Sequence, residues 1–116
     1  MLKRQTPTAW KVKFFQTDRG DYPVKDFILE QDPETQARII LSIELLRDNG
    51  PFLKPPHIKK LREKLYELRI KTKTQIRIFY TIYENEYYLL HAFKKKSQKT
   101  PPREMKLAID RLMEII

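Results

Sequence analysis

The chain has 116 residues, no cysteine and a formal net charge of +9 at pH 7. Its length predicts one domain, residues 1–116, with a core large enough to fold without cross-links, and the missing thiols exclude disulfides and thiolate zinc sites. No apolar run is long enough to span a bilayer and the N-terminus lacks the apolar segment of a signal peptide, so we expect a cytoplasmic protein.

The chain begins with one predicted strand and one predicted short helix. Residues 10–17 (WKVKFFQT) alternate in polarity as a half-buried strand does, and Asp18-Arg19-Gly20 is typical of a turn. Asp21 is the expected N-cap of the helix that follows, because Pro23 then falls in its first turn. This helix is expected to cover the core, and no residue in it indicates chemistry.

A longer helix is predicted from Asp32-Pro33, where Asp suits the N-cap and Pro the first helical position. Asn49-Gly50-Pro51 ends it. Apolar residues at helical spacing predict that its core-facing stripe contains the following side chains: Ala37, Ile40, Leu41, Glu44 and Leu45.

The second half of the chain predicts three strands after a Pro-rich basic loop at 52–60. The strands are the runs KLYELRIK, QIRIFYTIY and YYLLHAFK, at 64–71, 75–83 and 87–94. Because the connectors are short, we expect an antiparallel meander.

A final helix is predicted after a polar loop at 95–102. Thr100 is its expected N-cap, Pro101 or Pro102 opens it, and its apolar residues are Leu107, Ile109, Leu112 and Met113. The element order is then β-α-α-β-β-β-α, which predicts an α+β fold with an antiparallel sheet packed by two N-terminal helices and a C-terminal helix.

The positive charge is concentrated in one segment. Residues 1–53 contain 8 basic and 8 acidic side chains, whereas residues 54–106 contain 15 basic and 5 acidic ones. A concentrated surplus attracts polyanions to one surface. A solvated basic face without a ligand is the alternative interpretation.

Strand alternation predicts that Arg69 and Arg77 share one face of the sheet with Glu67 and several aromatic side chains. A guanidinium inside a sheet must be paired or reach water. One interpretation is a surface ion pair of Glu67 with either arginine. The other is a phosphate site, because the guanidinium fork fits phosphate oxygens and aromatic rings can stack on unpaired bases.

His91 and the lysines that follow it end the last predicted strand. Imidazole suits proton transfer near neutral pH, although a lone His in a strand is commonly a packing residue. A two-residue loop at Asn85-Glu86 would place Arg77 opposite Lys94. A shift by one residue would place it opposite Phe93, with His91 on the same face.

Other reactive motifs are missing from the sequence. His57 and His91, without cysteine, make no convincing metal-ligand set, so no metal or other cofactor is predicted. The chain has no Gly-rich phosphate loop and no nucleophile elbow.

The segment Leu65–Glu104 resembles the RelE/HigB toxin superfamily, in particular its phage-derived Gp49-like branch. The likeness lies in four consecutive pieces: LYELRIK, QIRIFY, LLHAFKKKSQKTPPRE and the helix that follows. His-x-Phe-x-Lys-Lys-x-x-Lys-Thr-Pro, beginning at His91, is the most distinctive of these patterns.

The resemblance implies the toxin of a type II toxin–antitoxin pair, a ribosome-dependent mRNA endoribonuclease that works without metal and is paired with a helix-turn-helix antitoxin. In this hypothesis the RNA 2′-OH attacks the adjacent phosphate. Arg69 and Arg77 stabilise the phosphate, and His91 or Lys95 transfers protons. The residues expected to hold flanking phosphates are Lys71, Lys94 and Lys99.

Some relatives carry a catalytic Tyr or Asp–Tyr pair near the C-terminus, and this chain has no match to it after Lys95. This departure leaves the general base unidentified. A ParE-type toxin of the same fold that inhibits DNA gyrase is an alternative to the nuclease. A non-catalytic RNA-binding module is a third.

Overall fold

The computed structural model describes residues 9–116, which form an α+β fold with a five-stranded mixed sheet and three helices. No helix within this range is long and apolar enough to cross a membrane. In chain order the elements are β1 (Lys11–Phe14), α1 (Pro23–Leu29), α2 (Pro33–Asn49), β2 (Ile58–Arg62), β3 (Leu65–Lys71), β4 (Gln75–Tyr83), β5 (Glu86–Lys95) and α3 (Pro102–Ile115).

The strands lie in the order β1-β5-β4-β3-β2. β3 to β5 form the predicted antiparallel meander and β2 extends it, but β1 pairs with β5 in parallel, so the prediction of a fully antiparallel sheet is wrong. The two intervening helices carry the chain back across the sheet, and this crossover gives β1 the same direction as β5.

The predicted element order lacked one strand. β2 lies at the end of the segment predicted as a Pro-rich loop, so the order is β-α-α-β-β-β-β-α. β2 is an edge strand with a bulge between Lys60 and Arg62. Because one side of an edge strand faces water, it tolerates the charged residues that obscured it in the sequence.

One of the three predicted helix caps is confirmed. The Asp32 carboxylate accepts a hydrogen bond from the backbone N–H of Thr35 at 2.7 Å, at the start of α2. The predictions for Asp21 and Thr100 are wrong, because in each case the next residue along occupies the N-cap and makes no side-chain capping bond.

Two hydrophobic cores lie on opposite faces of the sheet. α1 and α2 pack over the first, which is built around Ile39, Leu46, Leu68, Ile76, Ile78 and Leu89. α3 packs over the second, which is built around Leu65, Phe79, Leu90, Phe93, Ala108 and Leu112. The alternation predicted for β3 and β4 is confirmed, because aliphatic residues of one parity face the first core.

The prediction of which side chains of α2 face the core is wrong. Ile40 and Leu41 are 47% and 59% exposed, whereas Ile39 and Leu46 are fully buried. Ile39 and Leu46, with the partly buried Ile43 between them, have the same helical spacing as the exposed stripe. The helix is thus apolar on two sides, and periodicity alone does not identify the side that packs on the sheet.

A β-bulge sets the register between β4 and β5. The hairpin loop is Glu84-Asn85, whose two residues have positive φ, as tight two-residue hairpin turns require. The register then shifts by one residue at Leu90. Arg77 consequently lies opposite Phe93 and shares a face with His91, which confirms the second of the two predicted registers.

α3 holds this bulge. A bulged residue leaves the strand ladder, and the carbonyl of Leu90 accepts a hydrogen bond at 3.0 Å from Nη1 of Arg111. The same nitrogen lies 3.1 Å from Nδ1 of His91. The guanidinium of Arg111 thereby contacts one hydrogen-bond acceptor on each of the two consecutive residues at the bulge, Leu90 and His91.

Candidate functional site

The central strands bring the predicted cationic residues together at one end of the sheet. In one cross-strand row, Arg69 pairs with Arg77. In the next row Lys71, Gln75 and Lys95 lie side by side on the same face. Four cationic side chains from three strands therefore converge where the strands end.

A buried carboxylate lies behind the two arginines. Glu67 is 1% exposed, and its Oε1 and Oε2 lie 3.4 Å from Nε of Arg69 and 3.3 Å from Nε of Arg77. Both ion pairs considered from the sequence thus form at once, but beneath the surface. One carboxylate faces two guanidiniums, so the group keeps a net positive charge.

Arg77 is held rigidly in this group. Its Nη1 donates to Oε1 of Gln75 at 3.2 Å and to the carbonyl of Ile76 at 3.1 Å. Burial lowers the pKa of Arg77, the carboxylate of Glu67 counteracts this, and the charge of Arg69 adds to the lowering. Guanidinium pKa values are so high that Arg77 nevertheless stays charged.

Two depressions of about 510 Å³ each meet at these arginines, and we call them together the arginine cleft. The apolar basin lies between α2 and the ends of β3 and β4, with Leu41, Leu45 and Ile70 among its lining residues. The polar basin is lined by residues 95–98 at the end of β5. Arg69, Gln75 and Arg77 line both basins.

The cleft is cationic throughout. Besides the two arginines and Lys71, Arg38 lines the apolar basin, and Lys95 and Lys96 line the polar one. No Asp or Glu occurs among the described residues that line either basin. Guanidinium forks of arginine and single ammonium groups of lysine together suit an extended phosphodiester backbone.

His91 does not line the cleft. Its Nε2 lies 2.5 Å from Oε1 of Glu104, and its Nδ1 faces Arg111. Because a guanidinium only donates, Nδ1 accepts and Nε2 carries the proton that is shared with Glu104. Burial lowers the pKa of His91, and the hydrogen bond to Glu104 works against that shift. With both ring nitrogens engaged, His91 joins α3 to β5, and its role in proton transfer stays a prediction from the sequence.

The predicted lysines separate into two groups. Lys71 and Lys95 line the cleft. Lys94 lies opposite Ile76, on the sheet face covered by α1 and α2. Lys99 is exposed in the loop before α3 and does not line either basin.

Some cleft residues escaped the sequence analysis. Arg38 and Lys96 line the basins without having been predicted, and Glu67 was considered only as a surface partner. Arg38 lies on a helix whose packed side could not be assigned, so no local signal pointed to it. In the described part of the chain, no three His, Asp or Glu side chains lie close enough together to hold a metal ion.

A model of the phage-derived Gp49-like protein family (DUF891) matches residues 26–113. The chain belongs to this family. The Gp49-like family is toxin-like, lies within the RelE/HigB toxin-like superfamily and is related to the RNases of toxin–antitoxin systems. No curated protein matches the chain significantly. The family match spans α2 and β2 to β5, so it includes every residue named above as lining the cleft.

Proposed function

We propose that this Gp49-like protein is the toxin of a type II toxin–antitoxin pair and acts in the cytoplasm as a ribosome-dependent mRNA endoribonuclease. One observation carries the proposal. Arg69 and Arg77 converge over the buried Glu67 in a cleft without other acidic lining residues. The family relationship to toxin–antitoxin RNases supports the choice of RNA as the polyanion.

The proposed reaction is attack of a ribose 2′-oxygen on the adjacent phosphorus. The 2′-hydroxyl proton passes to solvent water, the O2′–P bond forms, the P–O5′ bond breaks with its electron pair on O5′, and the products are a 2′,3′-cyclic phosphate and a 5′-hydroxyl end. The extra negative charge develops on the non-bridging oxygens, where the guanidiniums of Arg69 and Arg77 would stabilise it. Arg69 donates to Glu67, whereas Arg77 donates to Gln75 and to the Ile76 carbonyl. Both guanidiniums are thus oriented in advance, so little reorganisation would be needed as the charge develops.

Lys95 is the proton-transfer residue of this proposal. It lies in the cross-strand row beyond Arg77 and lines the polar basin. Its ammonium group would donate a proton to the leaving O5′. Lys71 occupies the other side of the same row and would hold a flanking phosphate, and a helix-turn-helix antitoxin remains the proposed protein partner.

Inducible expression with mapping of mRNA 5′ ends tests the proposal. We expect new 5′-hydroxyl ends on translated messages with the wild-type chain and about a hundredfold fewer with Arg77→Gln, the loss typical of removing one charge-stabilising donor. Arg62→Gln, which changes an exposed arginine of β2 outside the cleft, is the matched control and should cut normally.

Three outcomes would contradict the proposal. An Arg77→Gln protein that cuts at the wild-type rate would remove the arginines from the reaction. Intact mRNA together with cleaved DNA would favour the gyrase-inhibiting alternative. Normal growth together with RNA binding of steep salt dependence would favour a non-catalytic RNA-binding module.

A further inference from the structure

The two basins of the arginine cleft differ in chemistry. The polar basin offers two lysines, a hydroxyl and an amide from residues 95–98. The apolar basin combines guanidiniums with an aliphatic wall that includes Leu41 and Leu45 of α2. A site for the sugar–phosphate backbone alone would not need such a wall, because the backbone presents charge and hydroxyl groups.

The aliphatic wall is exposed to solvent. Leu41 is 59% exposed and Leu45 is 36% exposed, so neither is needed to fill a core. Both lie at the mouth of a cleft whose floor contains Arg77, with only 10% of its side chain exposed. The apolar surface and the anion site are therefore parts of one depression.

We propose that the apolar basin binds one unstacked nucleobase of a single-stranded RNA, with the adjoining phosphate at Arg69 and Arg77. The base would lie with one surface against Leu41 and Leu45, and the next backbone segment would extend over Lys95 and Lys96 of the polar basin. A nucleobase has apolar faces and polar edges, which suits a wall of leucine beside guanidinium donors. This inference rests on the proposed function for the identity of the polymer.

A base fits the basin better than an acidic amphipathic helix does. The volume of about 510 Å³ is within the range of roughly 300–1,000 Å³ that is usual for small-ligand pockets. A helix would use a longer line of anchors, but Ile40, the other large exposed aliphatic side chain of this stripe, does not line the basin. The deep position of Arg77 also favours a compact anion over a carboxylate on a helix surface.

The test compares RNA oligomers with and without bases. Five-residue 2′-O-methyl adenylate, cytidylate and uridylate cannot be cut by 2′-OH attack, and an abasic 2′-O-methyl oligomer of equal length keeps the same phosphates. We expect the full wild-type chain to bind at least one base-bearing oligomer about tenfold more tightly than the abasic one, by fluorescence anisotropy at constant salt. The variant Leu41→Ser/Leu45→Ser should reduce this ratio to near one without changing the abasic affinity.

Leu29→Ser is the matched control, because Leu29 is 62% exposed on α1 and lies outside both basins. It should keep the tenfold ratio, and thermal unfolding should show all variants folded. Equal binding of base-bearing and abasic oligomers by the wild type would overturn the inference. So would a Leu41→Ser/Leu45→Ser variant that keeps the tenfold ratio, whether or not it loses the ability to bind a protein partner.

The readout is independent of cleavage. If the chain discriminates bases but cuts no mRNA in cells, the nucleobase site stands and the endoribonuclease proposal fails. If it cuts mRNA but does not discriminate bases, only the nucleobase site fails.

Discussion

Two clusters of one carboxylate and two basic side chains lie on the same face of the sheet. In the arginine cleft, Glu67 holds Arg69 and Arg77. Beneath α3, His91 bonds Glu104 and Arg111. The first cluster opens to solvent, where the side chain of Arg69 is 34% exposed, whereas the side chain of His91 is 12% exposed. Similar residues therefore form an open cationic cleft in one place and a helix attachment in the other, and coverage by α3 makes the difference.

The strongest test of this comparison is Glu67→Gln. The substitution leaves two close guanidiniums without their buried counter-charge, and breaking a buried ion pair costs about 3–5 kcal/mol. We expect a loss of that size in the free energy of unfolding, measured with urea. Glu63→Gln, at an exposed carboxylate between β2 and β3, should change stability little. Equal small effects would mean that Glu67 does not organise the cleft.

His91→Gln should separate the two clusters. Loss of the bonds to Glu104 and Arg111 leaves buried polar atoms unpaired, so we expect unfolding to become easier by about 1–3 kcal/mol. Cleavage of mRNA per folded molecule should persist, because His91 lies outside the cleft. His57→Gln, in the exposed loop before β2, is the stability control. A folded His91→Gln protein that cuts no mRNA would support the catalytic role inferred from the sequence.

The covered cluster should also respond to pH. Burial lowers the folded-state pKa of His91 below its ordinary value of about 6.5, so on acidification the unfolded chain takes up its proton first. The contribution of neutral His91 to stability is complete above the ordinary pKa. It falls as pH falls below that value, by at most about 1.4 kcal/mol between pH 6.5 and 5.5. Urea unfolding at both pH values should show this loss, and His91→Gln should remove it. An unchanged slope in the variant would assign the effect to other groups.

The smallest expected effect concerns two lysines predicted alike from the sequence. Lys71 lines the cleft, whereas Lys94 lies on the other face of the sheet. Lys71→Ala should reduce the slope of log affinity against log salt for a short RNA by about one, the contribution of one phosphate contact. Lys94→Ala should leave the slope unchanged. The reverse result would place a phosphate contact at Lys94 instead of Lys71.

The sequence was sufficient for the parts of the fold that depend on local chemistry. Asp32-Pro33 identified the start of α2, and alternation in β3 and β4 put Arg69 and Arg77 on one face. The wrong predictions concern segments whose sequence pattern fits two arrangements equally well. α2 has apolar residues on two sides, and only packing against the sheet selects Ile39 over Ile40.

Residues that meet only in three dimensions could not be predicted. Arg38 reaches the cleft because α2 crosses the end of β3, and Glu104 and Arg111 reach His91 because α3 packs on β5. None of these pairings has a spacing signal in one sequence. The parallel pairing of β1 with β5 is likewise a property of the crossover and not of either strand.

The bulge at Leu90 moves the alternation of side chains between the two faces of β5 by one residue. With a regular ladder through Leu90, Arg77 would face Ala92 and Gln75 would face Lys94. The extra residue moves every later side chain one step, so Lys95 instead of Lys94 reaches the cleft. A buried leucine that does not line the cleft therefore decides which lysine of the run 94–96 stands beside the arginines.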